Sequence, residues 1–323
     1  MSWDVVRTVL EQGLLFGIMV LGVYLSFRVL NVPDLTVDGS FPLGGAVAAT
    51  LIGAGHHPLV GSVAALGAGG LAGACTGVLH ARLKVPALLA GILTMTGLYS
   101  VNLRVMGRPN VALLRMPTLI EGVQELGIGP RWAALALFVV ASLVLAGGLY
   151  WFLRTEVGLA LRATGDNEGM ASSSGIETGW TKTLGLAVSN ALVSFSGALA
   201  AQYQGFADVN MGVGTIVAGL ASVIVGEVLL RPRRLWAALS SALVGSVGYR
   251  AAIAVALAMG LAPGDLKLIT ALLVMAALAL PSVAGEPGRH PRRGVVQRLA
   301  QALPRAGAAG RPQPGVMAGQ ERR

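Results

Sequence analysis

The chain has 323 residues, of which 54% are apolar and 45 are glycine, while only 12% are charged. A soluble domain carries roughly 25% charged residues and needs them to cover its surface; this composition therefore excludes an ordinary soluble enzyme, a disordered chain and a nucleic-acid-binding domain, and fits an all-α polytopic membrane protein of Gly/Ala-rich helices. The net charge of +9 is concentrated after Gly285, where eight arginines face two glutamates, and it reads as a topology signal and as attraction to membrane lipid, since that tail has no aromatic residue to stack on bases.

A membrane-spanning helix needs about 20 mostly apolar residues. Runs that approach this length lie at about 9–30, 41–55, 58–80, 85–103, 132–153, 181–203, 212–230, 234–260 and 264–284. The expectation is eight or nine transmembrane helices in a domain over 1–284, with a short or broken helix near 31–55 and a disordered basic tail over 285–323. Glu11 and Gln12 interrupt the start of the first run, which leads into further hydrophobic sequence, so it reads as a span and not as a signal peptide. Gly69, Gly73 and Gly77 share one helix face and mark a close-packing surface. Cys75 reads as a small packed residue, and as the only cysteine it makes no disulfide within the chain. The four histidines lack the i, i+4 spacing of a helical metal site. Residues 104–131 form a polar segment with a short helix expected around 118–127. Trp132, Trp151, Trp180 and Trp236 fall at span edges, where interfacial aromatics belong.

If all nine runs span and the tail is cytoplasmic, 17 Lys and Arg lie on the cytoplasmic side and 6 outside, with Arg250 inside a span. That bias favours an outer N-terminus and a cytoplasmic C-terminus. A P-loop is excluded, because no lysine follows a glycine.

Two stretches carry more specific information. Between Asn31 and Gly45, the residues Asp34, Thr36, Asp38 and Ser40 stand among two prolines and three glycines. Backbone freed by Pro and Gly is tolerated at membrane depth only where it is buried in protein or lines a cavity. The stretch reads as a broken helix on a translocation path or, equally, as a cytoplasmic loop. The second stretch is 154–180. It reads as a helix stopped at Gly165, then a short helix capped by Asp166 or Asn167 and ended at Gly175. Such an element is either a docking site for a cytoplasmic partner or a solvated connector. Within spans, ionisable groups are costly. Glu227 is a path candidate or an ion pair with the Arg231–Arg234 cluster. Arg250 is a path or dimer residue or a structural pair. Asn190, Ser194 and Ser196 can hydrogen-bond across helices, and Tyr99 and Asn102, near an outer helix end, can meet cargo.

The loop resembles the coupling segment of ATP-binding-cassette importer permeases of the branched-chain amino acid/ribose type, through Gly158, Arg162, Ala163, Gly165, Asn167, Ala171, Gly175 and Ile176. Asp34–Gly45 is similar to the same family's Asp-Leu-(Ser/Thr)-Val-x-Gly-Ser signature, and Ala221–Glu227 to its late Ala-x-Val-Ile-x-Gly run. The segments starting at Gln12, Asp34 and Leu89 also resemble a tryptophan-type permease subfamily. The loop departs from the pattern at Glu168-Gly169, where Pro is common, and at Ser172–Ser174.

The resemblance implies a permease subunit in the bacterial inner membrane that works as a homodimer, with the path at the interface. An extracytoplasmic binding protein would deliver a small solute, an amino acid or a related compound. ATPase subunits would dock on Gly158, Arg162, Gly165, Asp166, Asn167, Met170, Ala171, Gly175 and Ile176. ATP and Mg would belong to that partner, and this chain would bind no cofactor and perform no catalysis. Readings from other classes are an ion-gradient-driven secondary transporter with Glu227 as its essential carboxylate, and a membrane scaffold without transport.

Overall fold

A computed structural model describes residues 3–260. The expected run at 264–284 and the tail at 285–323 lie outside the described residues.

Eight of the expected apolar runs are helices. Six are long and apolar enough to cross a membrane. They are α1 (Trp3–Tyr24, continued by a π-helical turn over Leu25–Val29), α3 (Pro58–Ala81), α4 (Ala87–Met106), α6 (Pro130–Phe152), α9 (Thr178–Gln204) and α11 (Leu235–Ala258). The two others, α2 (Val37–Gly53) and α10 (Thr215–Leu230), have 17 and 16 residues and are too short to be counted as spans. The helix count expected from hydropathy is therefore not reached as full spans among the described residues. Hydropathy counts apolar residues and ignores their backbone: residues 212–214 belong to the apolar run but form a turn.

Local chemistry sets the helix ends. Pro58 and Pro130 begin α3 and α6 at positions where a missing N–H costs nothing. The His57 side chain accepts from the Leu59 N–H and caps α3, which gives that loop histidine a structural use. Gly107 and Gly205 end α4 and α9 in the left-handed conformation. Short elements join the spans. The chain leaving α4 forms β1 (Asn110–Ala112), which pairs antiparallel with β2 (Phe206–Asp208) beyond α9. Helix α5 (Leu119–Glu125) starts with a Thr118/Glu121 capping box, where a helix at 118–127 is expected. At the other end of the bundle α7 (Glu156–Asp166) and α8 (Glu168–Ser173) lead into α9.

Helix α9 is the axis of the bundle. Its hydroxyls bond to carbonyls of its neighbours: Ser189 to Gly22 and Ser196 to Leu15 of α1, and Ser194 to Ala65 of α3, all within 2.7–2.8 Å. The order of the two α1 pairs makes α1 antiparallel to α9, and Gly69, Gly73 and Gly77 of α3, which meet Asn190, Leu186 and Thr183 in turn, make α3 antiparallel to it as well. Ser194 and Ser196 thus make the cross-helix bonds expected of them, and Asn190 accepts one from Ser40 of α2. Gly69, Gly73 and Gly77 form the face of α3 that meets α9. A Cβ on Gly69 or Gly73 would overlap the carbonyl of Asn190 or Leu186. Without a hydrophobic force between helices in lipid, this close approach and the carbonyl bonds hold the pair. Cys75 departs from its expected packing, for it is exposed on α3. The four tryptophans at span edges are all exposed, as interfacial residues can be.

Gly73→Ala should destabilise the protein by about 1–3 kcal/mol, the usual range for overpacking. Gly67→Ala, whose Cβ meets nothing within 4 Å, should be neutral or mildly stabilising. Thermal unfolding of the two purified variants checks the contrast.

Candidate functional site

The segment Leu30–Thr36 folds back into the bundle instead of lying on its end. Asp34 is buried, with Oδ1 accepting from the Thr36 N–H at 2.9 Å and Oδ2 accepting from Asn190 Nδ2 at 2.6 Å. Ser40 Oγ donates to Asn190 Oδ1 at 2.8 Å. The hydroxyls of Thr36 and Thr76 share a hydrogen bond of 2.7 Å. Asn190 stands twelve residues into α9, about 18 Å from its start at 1.5 Å per residue. Helix α2 therefore starts near mid-depth of the bundle, as a broken helix buried in protein and not as a solvated loop. Asn102 Nδ2 donates to the Gly39 carbonyl at 3.2 Å from α4, and Tyr99 on the same helix is exposed.

Helix α10 begins at the same level. Its start is held by Asp38: Oδ1 accepts from the Ile216 N–H (2.8 Å) and the Thr215 hydroxyl (2.9 Å), and Oδ2 from the Gly214 N–H (3.0 Å). A carboxylate in the first turn of α2 thus satisfies the orphan donors at the start of α10 and lies at the positive end of its dipole. Gly212 packs over the Asp38 carbonyl and Pro42, where a Cβ would not fit. Pro42 lacks the N–H that would otherwise bond that carbonyl. Two short helices thus meet through one side chain at mid-depth.

The ionisable candidates lie elsewhere. Glu227, near the end of α10, pairs with Arg28 of the π turn. The Arg250 guanidinium lies 3.8 Å from the Phe16 ring centre, and Phe16 stacks on Phe41 of α2 at 5.5 Å. Arg250 Nε is buried with no hydrogen-bond partner among the described residues. Sequence reasoning gave no role to Glu11, a buried carboxylate in α1 that meets Arg7 at 3.4 Å and accepts from the Tyr203 hydroxyl at 2.9 Å. Its place inside an apolar run was the available signal. Among the described residues, no group of three or more His, Cys, Asp or Glu is placed to hold a metal ion.

The α7/α8 end has the expected two-helix form, with one correction and one open alternative settled. The first helix runs through Gly165 to Asp166, so Gly165 is not its stop. Its need for glycine is close approach: a Cβ there would overlap the Val29 carbonyl at the end of the π turn. Asn167, not Asp166, caps α8, accepting from the Met170 N–H at 3.1 Å. Gly175 has φ +83°, as a helix-ending glycine should. Gly158 packs under the Phe152 carbonyl, and Ala171 is buried. Arg162, Asp166 and Met170 are exposed, and Ile176 is half-buried. Lys182 Nζ donates to Glu168 Oε1 at 2.6 Å and holds that carboxyl below the usual carboxylate range. The tie is complete above the unfolded value of about 4.3 and is lost as pH falls through the lowered folded value.

A family model described as branched-chain amino acid transport system / permease component matches residues 5–279. The chain is 41% identical to the tyrosine transport system permease protein of Clostridioides difficile (strain R20291), over 84% of this chain and 90% of that one. It is 35% identical to an uncharacterised protein of Rickettsia prowazekii (strain Madrid E), over 85% and 97%, and 28% identical to the ribose import permease protein of Escherichia coli (strain K12), over 68% and 67%. No solved structure matches the chain.

Asp38→Ala should remove three hydrogen bonds to a carboxylate, each worth about 1.5–3 kcal/mol, and free the segment before α10. The expected result is faster protease cutting within 205–214 and a lower unfolding midpoint. Asp38→Asn keeps one acceptor oxygen and should fall between the two.

Proposed function

The chain belongs to this family of permease components, and we propose that it carries an amino acid, with α7 and α8 as its contact to the ATPase. It is a multi-pass inner-membrane permease subunit of an ATP-binding-cassette importer, a transport subunit and not an enzyme, and its partners are an ATPase and a substrate-binding protein. The tyrosine and ribose relatives carry cargo of different chemistry, and the higher identity to the tyrosine permease supports an amino acid here.

In this reading the α7/α8 end is cytoplasmic, the N-terminus lies outside and the C-terminus inside. The charge bias of the loops supports that orientation. Two copies of the chain form the path between them, as the resemblance implies. ATP and Mg sit on the partner, and this chain binds no cofactor.

The observation that carries the coupling role is the seat of α7. Gly165 places this helix directly on the π turn at Val29, five residues before Asp34. Force applied to the exposed face of α8 at Met170 therefore reaches the broken α1–α2 connection through one packed contact. Asp34, Thr36, Asp38 and Ser40 serve the path by fixing that connection. Glu227 serves it by tying α10 to the same turn through Arg28. Tyr99 and Asn102 border it from α4. Arg250 supplies a buried positive charge suited to a cargo carboxylate, since the described residues give it an aromatic face and no carboxylate. Transport then requires that the ATPase bind two states of the permease with different free energy.

The test is ATP-driven uptake into proteoliposomes that hold the ATPase, with the binding protein added outside. Gly165→Val, which separates α7 from the π turn, should reduce uptake to background while the protein still inserts. Met170→Asp should weaken co-purification of the ATPase. Unchanged uptake in both variants would remove the coupling role. Arg250→Met should raise the cargo concentration needed for half-maximal uptake; an unchanged value would exclude a carboxylate contact.

A further inference from the structure

At the α7/α8 end, the last turn of α6, the helix α7 and the start of α11 enclose a pocket of about 400 Å³ lined by Tyr150, Arg154, Arg162, Arg234, Leu235 and Trp236. Three of these six residues are arginines, and none is a carboxylate. Arg154 donates to the Tyr150 hydroxyl at 3.2 Å and lies 5.4 Å from its ring centre. None of the three arginines forms a salt bridge among the described residues. An adjoining cavity of about 270 Å³ shares Arg162, Arg234 and Leu235 with this pocket but adds Asp166, and its Arg28 is paired with Glu227.

The wall has a second anion-seeking element. Leu235 and Trp236 are the first two residues of α11, a helix of 24 residues whose N-cap, Arg234, provides no side-chain cap. Its first N–H groups and its dipole add to the three guanidinium charges. Arginine forks match phosphate oxygens in geometry as well as in charge.

The setting identifies the source of the phosphate. Trp151 is 72% exposed and Trp236 55% exposed at the same end of the bundle. Exposed tryptophans at helix ends mark the depth of lipid headgroups. Helix α6 is among the least buried of the spans and so presents its surface to lipid. Met170 and the rest of α8 do not line the pocket. We propose that this pocket binds the phosphate of an anionic phospholipid headgroup in the leaflet at the α7/α8 end. Basic pockets between transmembrane helices are a recurrent way to hold such headgroups. The site is independent of the cargo, and Arg162 of α7 is the one lining residue it shares with the proposed ATPase contact.

The full chain, purified in neutral detergent and stripped of lipid, is titrated with phosphatidylglycerol, phosphatidylcholine or inorganic phosphate, and bound lipid is read by native mass spectrometry. Phosphatidylglycerol should bind about tenfold more tightly than phosphatidylcholine. The double variant R154Q/R234Q should lose that preference, and inorganic phosphate should not displace the lipid. The variant R104Q/R108Q removes equal charge from the other end and should keep the preference. Four results would overturn the proposal: equal binding of the two lipids, an unchanged preference in R154Q/R234Q, an equal loss in R104Q/R108Q, or displacement by inorganic phosphate, which would make this a free-phosphate site. R154Q/R234Q that keeps its lipid preference but no longer co-purifies with the ATPase would assign the pocket to the protein partner instead.

Discussion

Asn190 offers both ends of its carboxamide to the segment between α1 and α2: its nitrogen donates to Asp34 and its oxygen accepts from Ser40. Around that amide the chain can leave its helix inside the bundle. Polar backbone in hydrocarbon costs several kcal/mol for each unsatisfied group. A helix break at this depth therefore exists only where nearby side chains take over the freed donors and acceptors. Asp34 accepts the Thr36 N–H, Asn102 donates to the Gly39 carbonyl, and Asp38 takes the donors that open α10. Removal of the amide would leave a buried carboxylate short of a donor and a hydroxyl short of an acceptor, so the cost exceeds that of two ordinary hydrogen bonds.

The glycines follow from the same constraint. The amide reaches both partners because the backbones of α2, α3 and α9 come unusually close. Gly44 of α2 lies on the Ser194 carbonyl, Gly197 of α9 lies on the Phe41 carbonyl, and Gly69 of α3 lies on the Asn190 carbonyl. Any side chain at these points would separate the helices and pull the amide from its partners. In lipid, where apolar surfaces gain nothing by leaving the solvent, this close packing is also the main attraction between the helices. The high glycine content is thus tied to the polar connection as well as to helix association.

The sequence made much of this legible, but unevenly. The apolar runs marked the helices, because spanning length and hydropathy are local properties. Asn167 as a cap and Gly175 as a helix end were legible for the same reason. The role of Asp38 was not, because its partners at 214–216 lie 176 to 178 residues away. Gly165 was read as a helix stop, whereas its glycine is needed for close packing: a glycine needed for close packing and one needed for positive φ look alike in one sequence. Helix α10 reads as a span because Gly212-Val-Gly214 is apolar, although its backbone turns. Cys75 fails for a related reason, since in a membrane protein an apolar residue in a helix can face lipid as well as the core.

The two short helices are also the parts of the bundle held most by discrete bonds. A full span such as α9 is fixed along its length by packing on several neighbours. Helices α2 and α10 begin at mid-depth, and their starts are held by one carboxylate, one amide and a few hydroxyls. Such bonds can be exchanged for others at small net cost, since a hydrogen bond kept in number but changed in partner contributes little to a free-energy difference. The π turn touches α7 at Gly165, leads into Asp34 and pairs with α10 through Arg28 and Glu227. One segment thus contacts α7 and governs the starts or ends of both short helices. A small shift of α7 must either be absorbed there or move both together. Because Asp38 joins the two helix starts, moving one without the other would strip bonds from a buried carboxylate. Coordinated movement of α2 and α10 is therefore the response that costs least.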